Sequence, residues 1–350
     1  MPRERKPENK GLPLRWRHTH GAYYYQVPPG QESAWDGKKL FRLGATLADA
    51  YTAWAERLRY VQDAKTVAQL LDRYALEVIP KKAVTTQAQN QSAIKKIRIA
   101  FGAMGLADIK PMHVYRYVDK ATGKTGAKRE VEVLSHALTK AVEWGFIDRH
   151  PFKGETRFEG EKSRTRYVED WEVVECLSLA PRRKAGSVLA AQAYIRIKLL
   201  TGLRRGDMLR LTMSDLKDDG MHVEPHKTRD STGKRMIIEW SDELRTAVSL
   251  AKSARPMKLS PFLFCNRDGE GYIDEKTGRA GGWESLWRNF IARVMDETKV
   301  EEHFTEHDLR AKCASDAETL EHARQLLAHA DGKITERVYR RRPEVVKPLR

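Results

Sequence analysis

Leu326-Leu327-Ala328-His329-Ala330-Asp331-Gly332-Lys333-Ile334-Thr335-Glu336-Arg337-Val338-Tyr339-Arg340-Arg341-Arg342 places one tyrosine ten residues after a histidine and directly before three arginines. Two arginine boxes stand upstream, Thr201-Gly202-Leu203-Arg204 and His307-Asp308-Leu309-Arg310. In-line attack on a phosphodiester spreads negative charge over the non-bridging oxygens. Two guanidinium groups can bind those oxygens in fixed, bidentate geometry and stay charged at any working pH. Arg204 is expected to open a helix after a glycine turn, with Asp207 three residues on and able to orient a guanidinium. His307 and Arg310, spaced i and i+3, share one side of a helix. His329 adds a hydrogen-bond donor to a phosphate, or a proton-transfer group. Tyr339 is the candidate nucleophile. A phenol titrates near about pH 10, so it needs a base or the cationic surround that these residues supply. Tyr194 and Tyr272 are the rival tyrosines of this block, but neither follows a histidine-bearing helix end. Lys227 precedes an expected hairpin turn at Arg229–Gly233 and Lys234 follows it; either could protonate a departing 5′-oxygen. Each box alone is weak, since a lone TGLR or HxxR is more often structural than catalytic.

Working outward, the chain has 350 residues, enough for two or three domains, and 41% hydrophobic content, enough for packed cores. Its net charge is +16, with +5 in residues 1–60, +6 in 61–160 and +5 in 161–350. An excess spread over the whole chain fits a protein that touches a polyanion along its length, DNA first. Solubility alone is the blander account. Cys176, Cys265 and Cys313 are odd in number and form no CxxC pair, so neither a zinc site nor a disulfide framework is expected. No apolar run suggests a signal peptide or a membrane span, and the chain reads as a soluble intracellular protein.

Before the catalytic boxes the pattern changes twice. Residues 21–27 and 39–44 read as short strands, and Thr46 caps a helix to about Tyr60 with Leu47, Ala50, Tyr51, Trp54 and Leu58 on one face. Arg15, Arg17, Lys38, Lys39 and Arg42 near these strands are candidate phosphate contacts, or the solvated face of a small structural cap. Residues 65–160 read as four short helices that suit a module clamping a duplex by its backbone. Lys95 and Lys96 lie on an outer face, and Lys124, Lys128 and Arg129 fall in an expected loop over 122–129. That loop lacks the GKS/T ending of a phosphate-binding loop.

Taken in order, arginine, hairpin lysine, HxxR, histidine and late tyrosine resemble the tyrosine recombinase family, the phage integrases in particular. The resemblance covers 165–345 by motif and 65–160 by helical character; the first 60 residues resemble the arm-site DNA-binding domain of phage integrases by pattern. It implies a mainly α chain with small β-sheets (α+β) in three parts: an N-terminal arm-site domain at 1–62, a helical SAM-like core-binding domain at 63–160, and a catalytic domain with a C-terminal tail at 161–350. It further implies that Arg204 and Arg310 bind the scissile phosphate and that Lys227, matching the family's lysine better than Lys234, is the general acid. His307 and His329 would assist, Asp207 would support the site, and Tyr339 would form a 3′-phosphotyrosyl intermediate. Such enzymes need no metal and no nucleotide cofactor. They act as homotetramers on double-stranded DNA attachment sites in the bacterial cytoplasm, at the nucleoid, with a DNA-bending host factor and an excisionase as candidate accessory partners. One departure is Ala328, where the family usually has glycine; so small a change is expected to leave the helix end undisturbed. A Xer-like resolvase, a type IB topoisomerase and a non-catalytic DNA-binding regulator on the same fold are the rival readings. Deleting residues 1–60 is expected to spare cleavage in an integrase and to abolish recombination that depends on distant arm sites.

Overall fold

The computed structural model describes residues 7–30, 32–57, 64–160, 163–182, 185–229, 233–329, 331–342 and 348–349. The chain divides into two compact units, 1–161 and 162–350. Parts of three expected features lie outside the described residues: the end of the first helix, the hairpin tip and most of the C-terminal tail.

In the first unit, strands β1 (Trp16–Thr19), β2 (Ala22–Gln26) and β3 (Leu40–Gly44) form an antiparallel sheet in that order. His20 and Gly21, both at positive φ, make the two-residue turn between β1 and β2. Side chains alternate across the sheet. Trp16, Tyr25 and Leu43 are buried on one face, while Arg17, Tyr24 and Arg42 fall in one cross-strand row on the other. Thr46 starts helix α1 (Leu47–Arg57), its hydroxyl accepting from the Asp49 N–H at 3.1 Å. Trp16 packs against the rings of Tyr51 at 4.9 Å and Trp54 at 5.7 Å.

Helices α2 (Val67–Glu77), α3 (Val84–Phe101), α4 (Pro111–Lys120) and α5 (Lys124–Glu143) follow. The expected loop over 122–129 is a correction: the helix begins at Lys124. Ala127, Val131, Leu134, Leu138 and Ala141 form one buried stripe at helical spacing, and burying it outweighs the cost of Gly126 inside the first turns. Sheet and helices share a single hydrophobic core running from Leu12 to Phe152. Arg98 on α3 ties them further, pairing with Asp72 on α2 and donating to the Tyr51 hydroxyl on α1 at 3.4 Å. Deleting residues 1–57 therefore uncovers the core of the helical module. The truncated chain is expected to melt at least about 5 °C lower in its first unit. An unchanged calorimetric transition would show that the sheet and the helices are independent.

The second unit is built on helix α7 (Ala185–Thr201), which follows α6 (Asp170–Ser178). Ala191, Tyr194, Ile195 and Ile197 of α7 are completely buried. Tyr194 stacks on Trp283 at 4.6 Å, and burial raises its phenol well above its usual range; it is a core residue. After α8 (Arg205–Arg210) come β4 (Leu216–Lys217), β5 (Gly220–Val223) and β6 (Met236–Ile238), a second antiparallel sheet. Helices α9 (Asp242–Ala254), α10 (Gly281–Glu297), α11 (Glu306–Asp316) and α12 (Leu320–Leu326) follow. The unit then enters a single π-helical turn, Thr335–Tyr339. The fold is thus mainly α with two small antiparallel sheets. The three cysteines are buried and unpaired. Among the described residues, no helix is long and apolar enough to cross a membrane.

Candidate active site

Helix α11 sets the geometry. Thr305 caps it reciprocally with Asp308, whose carboxylate accepts from the Thr305 N–H at 2.9 Å. Fixing the start at Glu306 puts His307 and Arg310 on one side. Arg310 is only 2% exposed. Its guanidinium donates to the Gly202 carbonyl, to the Leu327 carbonyl at 2.7 Å, and lies 3.2 Å from His329 Nε2. Its Nε is buried with no partner among the described residues. Gly202 has φ +61°, and a Cβ there would stand 2.9 Å from Leu327 and 3.2 Å from the Cys313 sulfur. Only glycine turns the end of α7 so tightly while offering its carbonyl to Arg310.

Two residues later Arg204 caps α8, with its side chain 23% exposed and 4.0 Å from Asp207. The other Asp207 oxygen accepts from the His226 N–H at 2.9 Å. That bond pins the 3-10 turn His226–Thr228, and with it Lys227, to the helix that carries Arg204. Lys227 is exposed and stands beyond the end of β5, in the 3-10 turn. Lys234, half-buried before β6, lies close enough for its charge to act on His329.

His329 is placed by the end of α12. Its N–H bonds to the Arg324 carbonyl at 3.0 Å and the Ala328 N–H to the Gln325 carbonyl at 2.9 Å, the paired bonds of a Schellman cap. Ala328 occupies the left-handed position of that cap, at φ +50°. The helix end forms, as expected, but alanine bears backbone strain there that glycine would not. Ala328→Gly is expected to stabilise the protein by about 0.5–1 kcal/mol after glycine's extra unfolded-state entropy is subtracted. A thermal melt would show this as a rise of about 1–3 °C; a fall would mean that the turn does not need glycine's freedom.

Tyr339 closes the cluster. Its ring lies 5.1 Å from that of His307, 4.9 Å from that of His329, and 5.5 Å from the Arg310 guanidinium carbon. His329 Nδ1 sits 2.8 Å from the Thr335 hydroxyl, one turn before the tyrosine. Burial and the charges of Arg310 and Arg204 push His329 down to about 4. Burial of the ring, Arg310 and Arg341 do the same to His307, although that residue keeps an exposed edge. Both imidazoles are therefore neutral at neutral pH, and the site's positive charge resides on its arginines. Burial lowers Arg310 to about 10, which leaves it charged. The unfolded chain takes up a proton on His329 near its ordinary value while the folded chain resists to about 4. Stability from this group is therefore complete above about pH 6.5 and lost as pH falls through about 4. Between about pH 7.5 and 5, the melting temperature of wild type should fall more than that of His329→Gln; equal falls would contradict the assignment.

The second unit thus brings Arg204, His307, Arg310, His329 and Tyr339 into one cluster, with Lys227 tethered through Asp207. Tyr272 packs on Trp283 at 5.4 Å, away from these groups. In the first unit, Arg15, Arg17, Lys38, Lys39 and Arg42 are exposed around the sheet. Lys96 pairs with Glu130 at 2.5 Å, Lys95 lies 5.8 Å from the Tyr23 ring, and Lys128 donates to the Glu159 carbonyl at 2.6 Å. Lys124 and Arg129 are exposed on the first turns of α5.

The sequence model of the phage integrase family matches residues 172–344, the span that holds the whole cluster. Residues 172–344 are a phage integrase domain. A Haemophilus influenzae protein provisionally named an integrase/recombinase is 25% identical over 193 residues, 49% of this chain and 51% of that protein. The chain thus spans about half the length of the curated relative it matches. Its fold is similar to that of a lambda integrase dimer bound to a COC′ core site (TM-score 0.64, 20% identity, 81% of this chain and 99% of that one). It is also similar to a lambda integrase tetramer bound to a Holliday junction (0.63, 21%, 99% of each chain). A Tn1549 transposon integrase in complex with circular intermediate DNA gives 0.61 at 15% identity, over 79% of this chain and 95% of that one.

Within the second unit, sequence reasoning missed a buried layer beneath Arg310. Lys198 is 1% exposed on α7 and donates to the Tyr194 hydroxyl at 3.3 Å; burial lowers its amine to about 7, against the attraction of Glu306. Glu306 accepts from the Trp283 indole at 2.7 Å. The available signal was a lysine at an inward position of an otherwise apolar helix, three residues before Thr201-Gly202-Leu203-Arg204.

Proposed function

We propose that the chain is a tyrosine-type site-specific DNA recombinase that integrates or excises a mobile element. The observation that carries this reading is the packing of Tyr339 against His307, His329 and Arg310 inside the span of the phage integrase family. Tyr339 Oη attacks the scissile phosphorus and gives up its proton, with neutral His307 or His329 as acceptor. A P–O bond forms to the tyrosine and the P–O bond to the 5′-oxygen breaks, leaving a 3′-phosphotyrosyl ester and a free 5′-hydroxyl. Lys227 supplies the proton that the 5′-oxygen takes. Arg204 and Arg310 bind the non-bridging oxygens, Arg310 with a buried Nε that has no partner among the described residues. The ester conserves the bond energy, so a 5′-hydroxyl from a second duplex can reverse the chemistry and rejoin the strands.

Residues 1–62, 63–160 and 161–350 are assigned as arm-site, core-binding and catalytic parts. The row Arg17–Tyr24–Arg42 on the open face of the first sheet suits contact with a duplex groove. Double-stranded attachment sites are the substrate and a homotetramer the assembly; the lambda integrase tetramer on a Holliday junction is the fold relative that supports this. A DNA-bending factor and an excisionase are the accessory partners to test. The decisive assay joins two duplexes taken from the ends and the insertion locus of the source element. Recombinant joints that depend on the specific sequences support the proposal. Relaxation of supercoiled DNA lacking any such sequence, without joints, would replace it with a topoisomerase.

A further inference from the structure

The middle arginine of the triplet after Tyr339 points inward. The Arg341 side chain is 4% exposed and pairs with Asp308 at 2.6 Å; Asp308 is itself fully buried. The same guanidinium donates to the Arg166 carbonyl at 2.9 Å, and its Nε to the Val338 carbonyl at 3.1 Å. The Arg341 N–H donates to the Ser315 hydroxyl at 2.7 Å, and that hydroxyl lies 2.9 Å from the Tyr339 carbonyl, to which it can donate. Arg164 holds Asp308 from the other side at 2.9 Å. Two residues past the tyrosine, the chain is thus fastened by its backbone to α11 through Ser315 and by its side chain to α11 through Asp308. The same helix supplies His307 and Arg310.

We infer that Arg341, with Asp308 and Ser315, is a positioning device that holds Tyr339 in the active site of its own chain. The inference rests on the reading of Tyr339 as the nucleophile. None of the three touches the reacting atoms. A buried guanidinium with three partners, together with the backbone bond to Ser315, over-determines the path of residues 338–341, and only the π-helical turn Thr335–Tyr339 separates that anchor from the His329–Thr335 contact. The tyrosine ring is therefore fixed at both ends of its turn. Arg340 and Arg342, by contrast, are exposed.

The test uses the full chain on a nicked duplex from the source element's ends, in single-turnover cleavage with DNA affinity and thermal melts measured alongside. Arg341→Gln should slow adduct formation tenfold to about a hundredfold, the range for a nucleophile displaced by roughly an ångström, with DNA affinity unchanged. Arg341→Lys, which keeps the ion pair with Asp308, should recover part of the rate. Should Arg341→Gln fail to fold, Ser315→Ala removes the backbone link alone and should still slow cleavage. Mixing Tyr339→Phe with Arg204→Ala chains should give no adduct, because a tyrosine held in its own chain cannot serve another. Cleavage at the wild-type rate by both Arg341→Gln and Ser315→Ala, or an adduct from the mixed chains, would overturn the inference. An adduct formed by Tyr339→Phe alone would instead overturn the reading of the nucleophile.

Discussion

Tyr339→Phe is expected to abolish covalent attachment to DNA while leaving specific binding within about threefold of wild type. The substitution removes one oxygen and keeps the ring, so the contacts with His307 and His329 and the packing beside Arg310 survive. The side chains of Arg204, His307, Arg310 and His329 carry no oxygen that could replace the phenol, and the loss should exceed about 10⁴-fold, the scale seen when a catalytic nucleophile is removed. Gel-shift and denaturing-gel assays on the same samples separate the two effects. Cleavage retained within about tenfold would show that another group attacks.

Arg310 should produce the second-largest effect, and a double one. Arg310→Lys keeps a charge but loses the planar fork that serves Gly202, Leu327 and a phosphate together. Cleavage should fall by about 10³-fold, the cost of removing one preorganised donor to developing negative charge. Stability should fall as well, because a buried carbonyl left without its donor costs about 1–3 kcal/mol. Arg204→Lys makes the contrast. That side chain is partly exposed and stands 4.0 Å from Asp207, so cleavage should fall with little change in melting temperature. Equal melting losses in the two variants would show that Arg310 is not the structural keystone of the site.

Much of this was legible in the sequence because the chemistry needs particular residues in a particular order. Tyr339, His329 and the two arginine boxes could be singled out by type and spacing, and the glycine before Leu203-Arg204 announced a turn. The start of α5 was misread because Thr122-Gly123-Lys124-Thr125-Gly126 looks like a loop locally. The helix is fixed by a stripe, Ala127 to Ala141, that becomes decisive only once it is buried. The strain at Ala328 was invisible because nothing in a sequence shows a backbone angle. The Asp308–Arg341 contact was hidden for another reason: three arginines in a row carry no pattern that tells which of them packs inside. The first sheet likewise reads as a separate small domain, whereas its buried side chains join those of the helices in one core, which Arg98, Asp72 and Tyr51 tie further.

The most direct test is to trap the protein, in the presence of chelator, on a nicked duplex carrying its attachment site, and to identify the attached peptide by mass spectrometry after trypsin and nuclease digestion. Attack by Tyr339 predicts a 3′-linked nucleotide on the peptide Val338-Tyr339-Arg340, and no such adduct from Tyr339→Phe. A nucleotide on Tyr194, Tyr272 or any other residue, or tight specific binding with no adduct at all, would contradict it.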